Sequence, residues 1–333
     1  MKRLIALLMG LAMVVAACGD GDGDTAADTA ADATTAATDQ VDTVQSSGLT
    51  FHMVTHSDDG VFWSVVKKGA EDAAAAVGAE MVWSPSSNDP EKQVQDLEAA
   101  VAAGSDGIGV SLANPEALVP AATAAVAGGI PVVTLNSGVG QYGEIGAITH
   151  VGQTEIDAGR GAGNFFNDLG ATKILCGQQE QGNVGLEERC QGAGETFNGE
   201  VVTQFVGLDA NPEEQINNIA AALQADADIN AVFGVGPNVV VRAIEACTQA
   251  GRDCFLGGVD ISEDVIAGIE AGDINFTIDQ QQYLQGYLTI VILYLNATNL
   301  NTVGGGQPVF TGPGFVTTDN VGEVKALVAA GTR

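Results

Sequence analysis

Three histidines, five cysteines and a scatter of polar residues behind apolar runs are the groups of this chain that could do chemistry. His52, His56 and His150 show no partner at the spacing of a nucleophile or a metal site. His52 and His56 are four apart on an expected strand, which makes them a pair on one strand face. No G-x-S-x-G occurs. Gly138, Gly140 and Gly143 form a lone G-x-G-x-x-G after a strand, but a dinucleotide site needs a helix to open there. Here Glu144–Val151 reads as another short extended segment. What remains is His56 to Asp59, Ser111, Asn136, Asn238 and Asp260, each directly after an apolar run. Singly, any of them could be a helix cap or a turn residue. Together they offer hydrogen bonds to a small ligand. No catalytic residue, cofactor or metal is expected, and the chain is not read as an enzyme.

The elements that must position these residues alternate regularly. Thr50–Thr55 reads as a strand, Phe62–Val77 as a helix, Glu80–Trp83 as a strand and about Pro90 to Ala103 as a helix with Pro at its first position. Ile108–Val110, Pro115–Ala127 and Pro131–Leu135 follow as strand, helix and strand. This β-α alternation is the pattern of an α/β fold with a parallel sheet covered on both faces. The rhythm then restarts, with strands expected at Lys173–Cys176, Val201–Val206, Ala231–Val235, Phe255–Gly258 and Asn275–Ile278. Asn136 follows its strand in the first half as Asp260 follows its strand in the second. Two similar lobes facing each other are therefore expected, with a site beyond the carboxyl ends of the strands and between the lobes.

The first residues carry Lys2 and Arg3, then the apolar run Leu4 to Val15, then Val15-Ala16-Ala17-Cys18. A basic start, a short apolar core and small residues before a cut form a secretory signal over residues 1–17, and the run is too short to span a membrane. The cysteine after Ala-Ala resembles the lipobox of bacterial lipoproteins, which implies a lipid on Cys18. Residues 18–47 then read as an acidic tether. Beyond Cys18 it holds seven aspartates, no basic and no aromatic residue, too little apolar surface to offset the entropy of ordering. The net charge of -30 excludes nucleic acid as a partner, since phosphate contacts need clustered Lys and Arg. It also disfavours direct adhesion to anionic lipid, so the membrane is met through the anchor alone. Setting Cys18 aside leaves Cys176, Cys190, Cys247 and Cys254, and export permits disulfides. Of the three connectivities open to four cysteines, local pairing, Cys176–Cys190 and Cys247–Cys254, is expected.

Four stretches carry a family resemblance: Asp59-Gly60-Val61-Phe62-Trp63 followed by Lys68-Gly69-Ala70, the run Gly129 to Asn136, Gly258-Val259-Asp260, and Thr277-Ile278-Asp279-Gln280. From about Leu49 to Val316 the chain resembles the ribose-type periplasmic sugar-binding proteins, the substrate-binding subunits of ABC transporters. The resemblance implies two Rossmann-like lobes joined by a three-crossover hinge, the type I periplasmic-binding-protein fold. The lobes would be 48–151 with 281–306, and 152–280 with 307–333. It implies that Phe62 and Trp63 stack on a sugar ring, that Asp260 and Gln280 bond its hydroxyls, and that Ser111, Asn136 and Arg189 make further polar contacts. His56, Asp59, Gln153 and Asn238 complete the expected ligand set. Departures from the ribose pattern are Asn136-Ser137 in place of Asp-Arg, Gly236-Pro237-Asn238 in place of an Asn-Asp pair, and Leu208 in place of an aromatic. They point to another monosaccharide, or to a smaller or more flexible polyol.

The implied mechanism is capture by closing lobes, a shift of an existing equilibrium, with delivery by a monomer to an ABC permease. The alternative is a sensory binding protein of the same fold, presenting a sugar or autoinducer-like ligand to a chemoreceptor or kinase. A repressor of related fold is excluded by the export signal.

Overall fold

The fully apolar strand runs occupy the middle of two sheets, where both faces are covered. In the computed structural model, residues 45–58 and 60–333 are described; the readings made for the signal segment, Cys18 and most of the tether, and for Asp59, lie outside them. The first lobe runs β1 (Thr50–Thr55), α1 (Gly60–Val77), β2 (Glu80–Pro85), α2 (Pro90–Ala102), β3 (Gly107–Val110), α3 (Pro115–Ala127), β4 (Val132–Leu135) and β5 (His150–Gly152). The second continues α4 (Glu155–Leu169), β6 (Lys173–Gln178), α5 (Val184–Thr196), β7 (Glu200–Phe205), α6 (Pro212–Ala225), β8 (Ala231–Gly234), α7 (Pro237–Ala250), β9 (Phe255–Val259), α8 (Glu263–Ala271) and β10 (Phe276–Asp279). The chain then returns through α9 (Gln282–Asn299) and β11 (Val309–Phe310), and crosses once more to β12 (Gly314–Val316) and α10 (Val321–Ala329).

The two sheets share one strand order. The first is β2-β1-β3-β4-β5-β11, the second β7-β6-β8-β9-β10-β12, with β12 antiparallel to its neighbour. β3, β4 and β8 are buried along their whole length, whereas the edge strands β2 and β7 begin on exposed glutamates. This is how a parallel sheet covered on both faces writes itself into sequence. Pro90, Pro115, Pro212 and Pro237 each open a helix, where the missing N–H would have had no partner.

Two differences from the sequence reading are small but instructive. The extended segment expected over Glu144–Val151 shrinks to β5, because Tyr142 and Ile145 turn back onto Gly138 and Gln141 and Gly146 takes a left-handed φ of 77°. The second-lobe segment expected from Gln307 begins later. Val309 pairs with Val151 and Phe310 with Gly152, so β11 belongs to the first sheet and the third crossover follows it.

Helix pairs in both lobes meet backbone to backbone. On α1 and α9 the contact is made at Gly69 and Gly286, where an added Cβ would fall on the carbonyls of Tyr283 and Val66. On α4 and α5 it is made at Gly159 and Gly192, where a Cβ would fall on the carbonyls of Arg189 and Ile156. Cys176 of β6 is bonded to Cys190 of α5, and Cys247 of α7 to Cys254 just before β9. Gly192→Ala should force α4 and α5 apart and lower stability by about 3 kcal/mol, read by urea denaturation. An unchanged midpoint would mean that the close approach carries no packing.

Candidate functional site

Each lobe presents the carboxyl ends of its strands to the other lobe, and the polar residues come from the turns that follow. Asn136 comes directly after β4 and Asp260 directly after β9, the equivalent strands of the two sheets. Both adopt left-handed φ, 60° and 72°, a region few side chains other than glycine enter. Asn136 donates its N–H to Val151 O at 3.1 Å, and Asp260 donates its own to Ile278 O at 2.7 Å, the same bond in each lobe. Such an unusual conformation is held by its surroundings and turns both side chains out of their sheets.

Eight of the sequence-predicted residues surround one inner cavity. The first lobe supplies His56, Phe62, Trp63 and Asn136; the second supplies Arg189, Asn238 and Asp260; the hinge supplies Gln280. The centre of a water molecule can range through about 50 Å³ there; widened by the water radius of about 1.4 Å, this is space on the scale of one small ring. Phe62 and Trp63 also belong to the first-lobe core with Phe51 and Val66. Trp63 meets Phe62 and His56 edge to face at 5.0 Å each.

Ser111 and Gln153 stand behind the wall rather than in it. Ser111 Oγ lies 2.9 Å from His56 N and 2.8 Å from His56 Nδ1. It accepts from the backbone N–H, so its hydroxyl hydrogen is left for Nδ1 and the ring proton is assigned to Nε2. Gln153 Nε2 donates to Glu155 Oε2 at 2.8 Å, and Glu155 holds Arg189. Both are fully buried; Ser111 Oγ and Gln153 Nε2 are turned to protein partners, while Gln153 Oε1 is left without a hydrogen bond.

Arg189 is buried and makes three bonds. Nε and Nη2 donate to the two carboxylate oxygens of Glu155, and Nη1 donates to Val235 O at 2.6 Å. A guanidinium has five N–H groups, so two remain. On the hinge side, Gln280 Nε2 donates to Asp260 Oδ1 at 2.7 Å, and Gln285 Nε2 donates to Gln280 Oε1 at 2.8 Å.

Sequence reasoning passed over Glu180 and Asn183, which close the cavity on its outer side. Asn183 Nδ2 lies 2.6 Å from Glu180 Oε2 and 3.4 Å from His56 Nε2 across the cleft, while Val184 N donates to Ala113 O at 3.0 Å. They sit in the turn after β6, the counterpart of the turn after β1 that yields His56; applying the strand-end rule to every strand would have found them. Outside lies a wider cleft of about 470 Å³, bordered by Asp89, Glu180 and Glu214. Leu208, where the sequence comparison looked for an aromatic, is half exposed in that outer wall.

Residues 51–300 match the model of the periplasmic binding protein domain. The chain belongs to that family. Among solved structures, the carbohydrate transporter from Acidothermus cellulolyticus 11B in complex with myo-inositol is similar over 86% of this chain and 100% of its own, with 39% identity and a TM-score of 0.83. Among curated proteins, the xylose/arabinose-binding protein of Sulfolobus acidocaldarius is 25% identical over 286 residues, 80% of this chain and 71% of that protein. The ribose import binding protein of Bacillus subtilis is 28% identical over 231 residues, 68% of this chain and 74% of its own. The ribose-type resemblance read from the sequence therefore holds, the relatives are binding proteins rather than enzymes, and the family is extracytoplasmic.

In this periplasmic binding protein the cavity's electrostatics are set by burial. Burial raises the Asp260 carboxyl to about 7, against the pull of the Arg189 charge and the Gln280 hydrogen bond. Burial opposes the charge on Arg189 as well, but Glu155, then Asp260 and Glu180, hold it firmly protonated. Burial, with Arg189 nearby, lowers His56 to about 3. His56 is therefore neutral, and its 3.6 Å approach to Glu180 is a polar contact and not an ion pair.

The sign for Asp260 follows from linkage. Between about pH 4 and pH 7 the folded chain keeps a proton on Asp260 that the unfolded chain has released, so this group stabilises the fold increasingly as pH falls through that window. Asp260→Asn removes the effect. Urea denaturation at pH 4.5 and 6.5 should show the stability of the wild type gaining on that of the variant by about 1.4 kcal/mol per pH unit of acidification. Parallel pH profiles would place Asp260 at an ordinary carboxylate value.

Proposed function

We propose that this chain captures a neutral ring polyol, a cyclitol or a monosaccharide, between its two lobes and delivers it to an ABC transporter. The observation that carries the reading is the composition of the inner cavity. Arg189, Asp260 and Gln280 offer charged and amide groups from the second lobe and hinge, while Phe62 and Trp63 offer aromatic surface from the first. A ring with hydroxyls at its edge and C–H groups on its faces answers both walls. Neither wall carries a free cation of the kind that binds phosphate or carboxylate, since Arg189 is already balanced by Glu155. The myo-inositol held by the Acidothermus protein supports a cyclitol, and the missing Asp-Arg and aromatic of the ribose pattern support a ligand other than ribose.

In this reading the contacts across the cleft, the Val184 hydrogen bond to Ala113 and the approach of His56 to Glu180 and Asn183, belong to a closed form that a ligand touching both lobes favours. The closed form is what the permease receives. Export is proposed to end with acylation of Cys18, which leaves the acidic tether as a spacer between membrane and binding lobes.

Calorimetry should show saturable binding of myo-inositol or of an aldose from a panel. Asp260→Ala should weaken it at least tenfold, about 1.4 kcal/mol, with the ligand-free protein still folded. Equal affinities would sink the site assignment. For the anchor, Cys18→Ser expressed in a bacterial host should move the protein from the membrane fraction to the soluble fraction; retention at the membrane would refute lipidation there.

A further inference from the structure

The inner cavity is built from matching positions of two similar lobes. Strand β1 of the first sheet corresponds to β6 of the second, and β4 to β9. Asn136 and Asp260 are one matched pair. The residue after β1 is His56, and the residue after β6 is Gln179. Gln179 also lines the cavity, yet it does not follow an apolar run as the other candidates do, because β6 ends on Gly177 and Gln178.

The two members of this second pair differ in how their polar atoms are satisfied. His56 rests on Ser111, which follows β3 and engages both the backbone N–H and the ring of His56. The residue that follows β8 is Val235, which has no hydroxyl, and its carbonyl is taken by Arg189. Gln179 is 7% exposed, and its side-chain Oε1 is buried without a hydrogen-bond partner. Of the described residues that hold an orphaned side-chain atom, Gln179 is the one that lines this cavity. A buried amide oxygen left unpaired costs its full desolvation, so a native chain keeps one where something else supplies the donor. The seat is shaped for the amide. At Gly236 an added Cβ would stand 2.5 Å from Gln179 Nε2 and 3.0 Å from Oε1, so the absence of a side chain there lets the amide lie flat over the start of α7.

We propose that Gln179 is a specificity-determining contact, whose side-chain carbonyl accepts a hydrogen bond from a hydroxyl of the bound polyol. It fills in the second lobe the place that His56 fills in the first. The proposal rests on the reading of the cavity as a polyol site. It assigns that site an acceptor which a ligand lacking the matching hydroxyl cannot satisfy.

The test uses Gln179→Leu, Gly236→Ala and the double variant, each titrated with myo-inositol and the aldose panel by calorimetry and melted without ligand. Gln179→Leu should bind at least tenfold more weakly, while its ligand-free melting temperature stays level or rises because an unpaired polar atom has gone. Gly236→Ala should weaken binding by displacing the amide, and the double variant should bind no worse than Gln179→Leu. Affinity equal to wild type in Gln179→Leu overturns the proposal, as does a fall in its ligand-free melting temperature. Should Gln179→Leu fail to fold, Gly236→Ala decides, and unchanged affinity there overturns the proposal. A wild-type chain that binds none of the panel overturns the polyol reading instead, and the ligand-free melting temperatures alone then decide whether Gln179 is an orphan that a ligand must satisfy.

Discussion

A guanidinium taken out of water has to be met by a carboxylate and by acceptors for its remaining N–H groups, and much of the second lobe is arranged around that demand. Arg189 and Glu155 sit on different helices, so their pairing depends on how closely α4 and α5 run. Gly159 and Gly192 remove the side chains that would separate them, and the Cys176–Cys190 bond ties α5 to the sheet one residue from Arg189. Gln153 donates to Oε2 of Glu155, the same oxygen that Arg189 Nε meets. Removing one partner of such a pair would strand a buried charge, at a cost of about 3–5 kcal/mol. The pair also lowers the net charge the cavity presents, so a neutral ligand meets donors without meeting an uncompensated cation.

The two lobes reach the same geometry with different chemistry. Asn136 and Asp260 share a backbone conformation and a backbone hydrogen bond, yet one is an amide and the other a carboxyl that burial keeps partly protonated near neutrality. His56 and Gln179 share a strand-end position, yet one is satisfied within the protein. The first lobe lends aromatic surface through α1, and the second lends the charges. The cavity therefore has two walls of unlike character, which would orient a single small ring placed between them.

The alternation of apolar runs was legible because central parallel strands are buried on both faces and so appear as unbroken Val, Ile and Leu. Helix starts were legible at Pro90, Pro115, Pro212 and Pro237. The polar residues of the cavity were legible where they end an apolar run, as at His56, Asn136 and Asp260. Gln179 and Glu180 lie in the run Gln178-Gln179-Glu180-Gln181; the strand-end rule reaches this turn, but the run is polar throughout and nothing in it marks which member turns inward. Ser111 followed the same strand-end rule but gives its hydroxyl to His56, and Gln153 gives its amide N–H to Glu155, a matter of side-chain direction that one-dimensional spacing does not carry. The glycine contacts between helices were equally silent, since a glycine in a helix looks like a defect until the neighbouring backbone is seen. The edge of the first sheet was misread because two residues, Val309 and Phe310, are too short a run to announce a strand.

Those two residues and β12 lie within eight positions of each other, and each closes a different sheet. The first lobe also waits for α9, which packs on α1 more than two hundred residues earlier in the chain. A chain emerging from its amino end therefore cannot complete either half until residues 309–316 have followed. Through most of its synthesis it carries strand edges that have no neighbour. That topology leaves both sheets open until the last stretch of the chain is in place, so neither lobe is a self-contained stretch of sequence that could be cut out and kept whole.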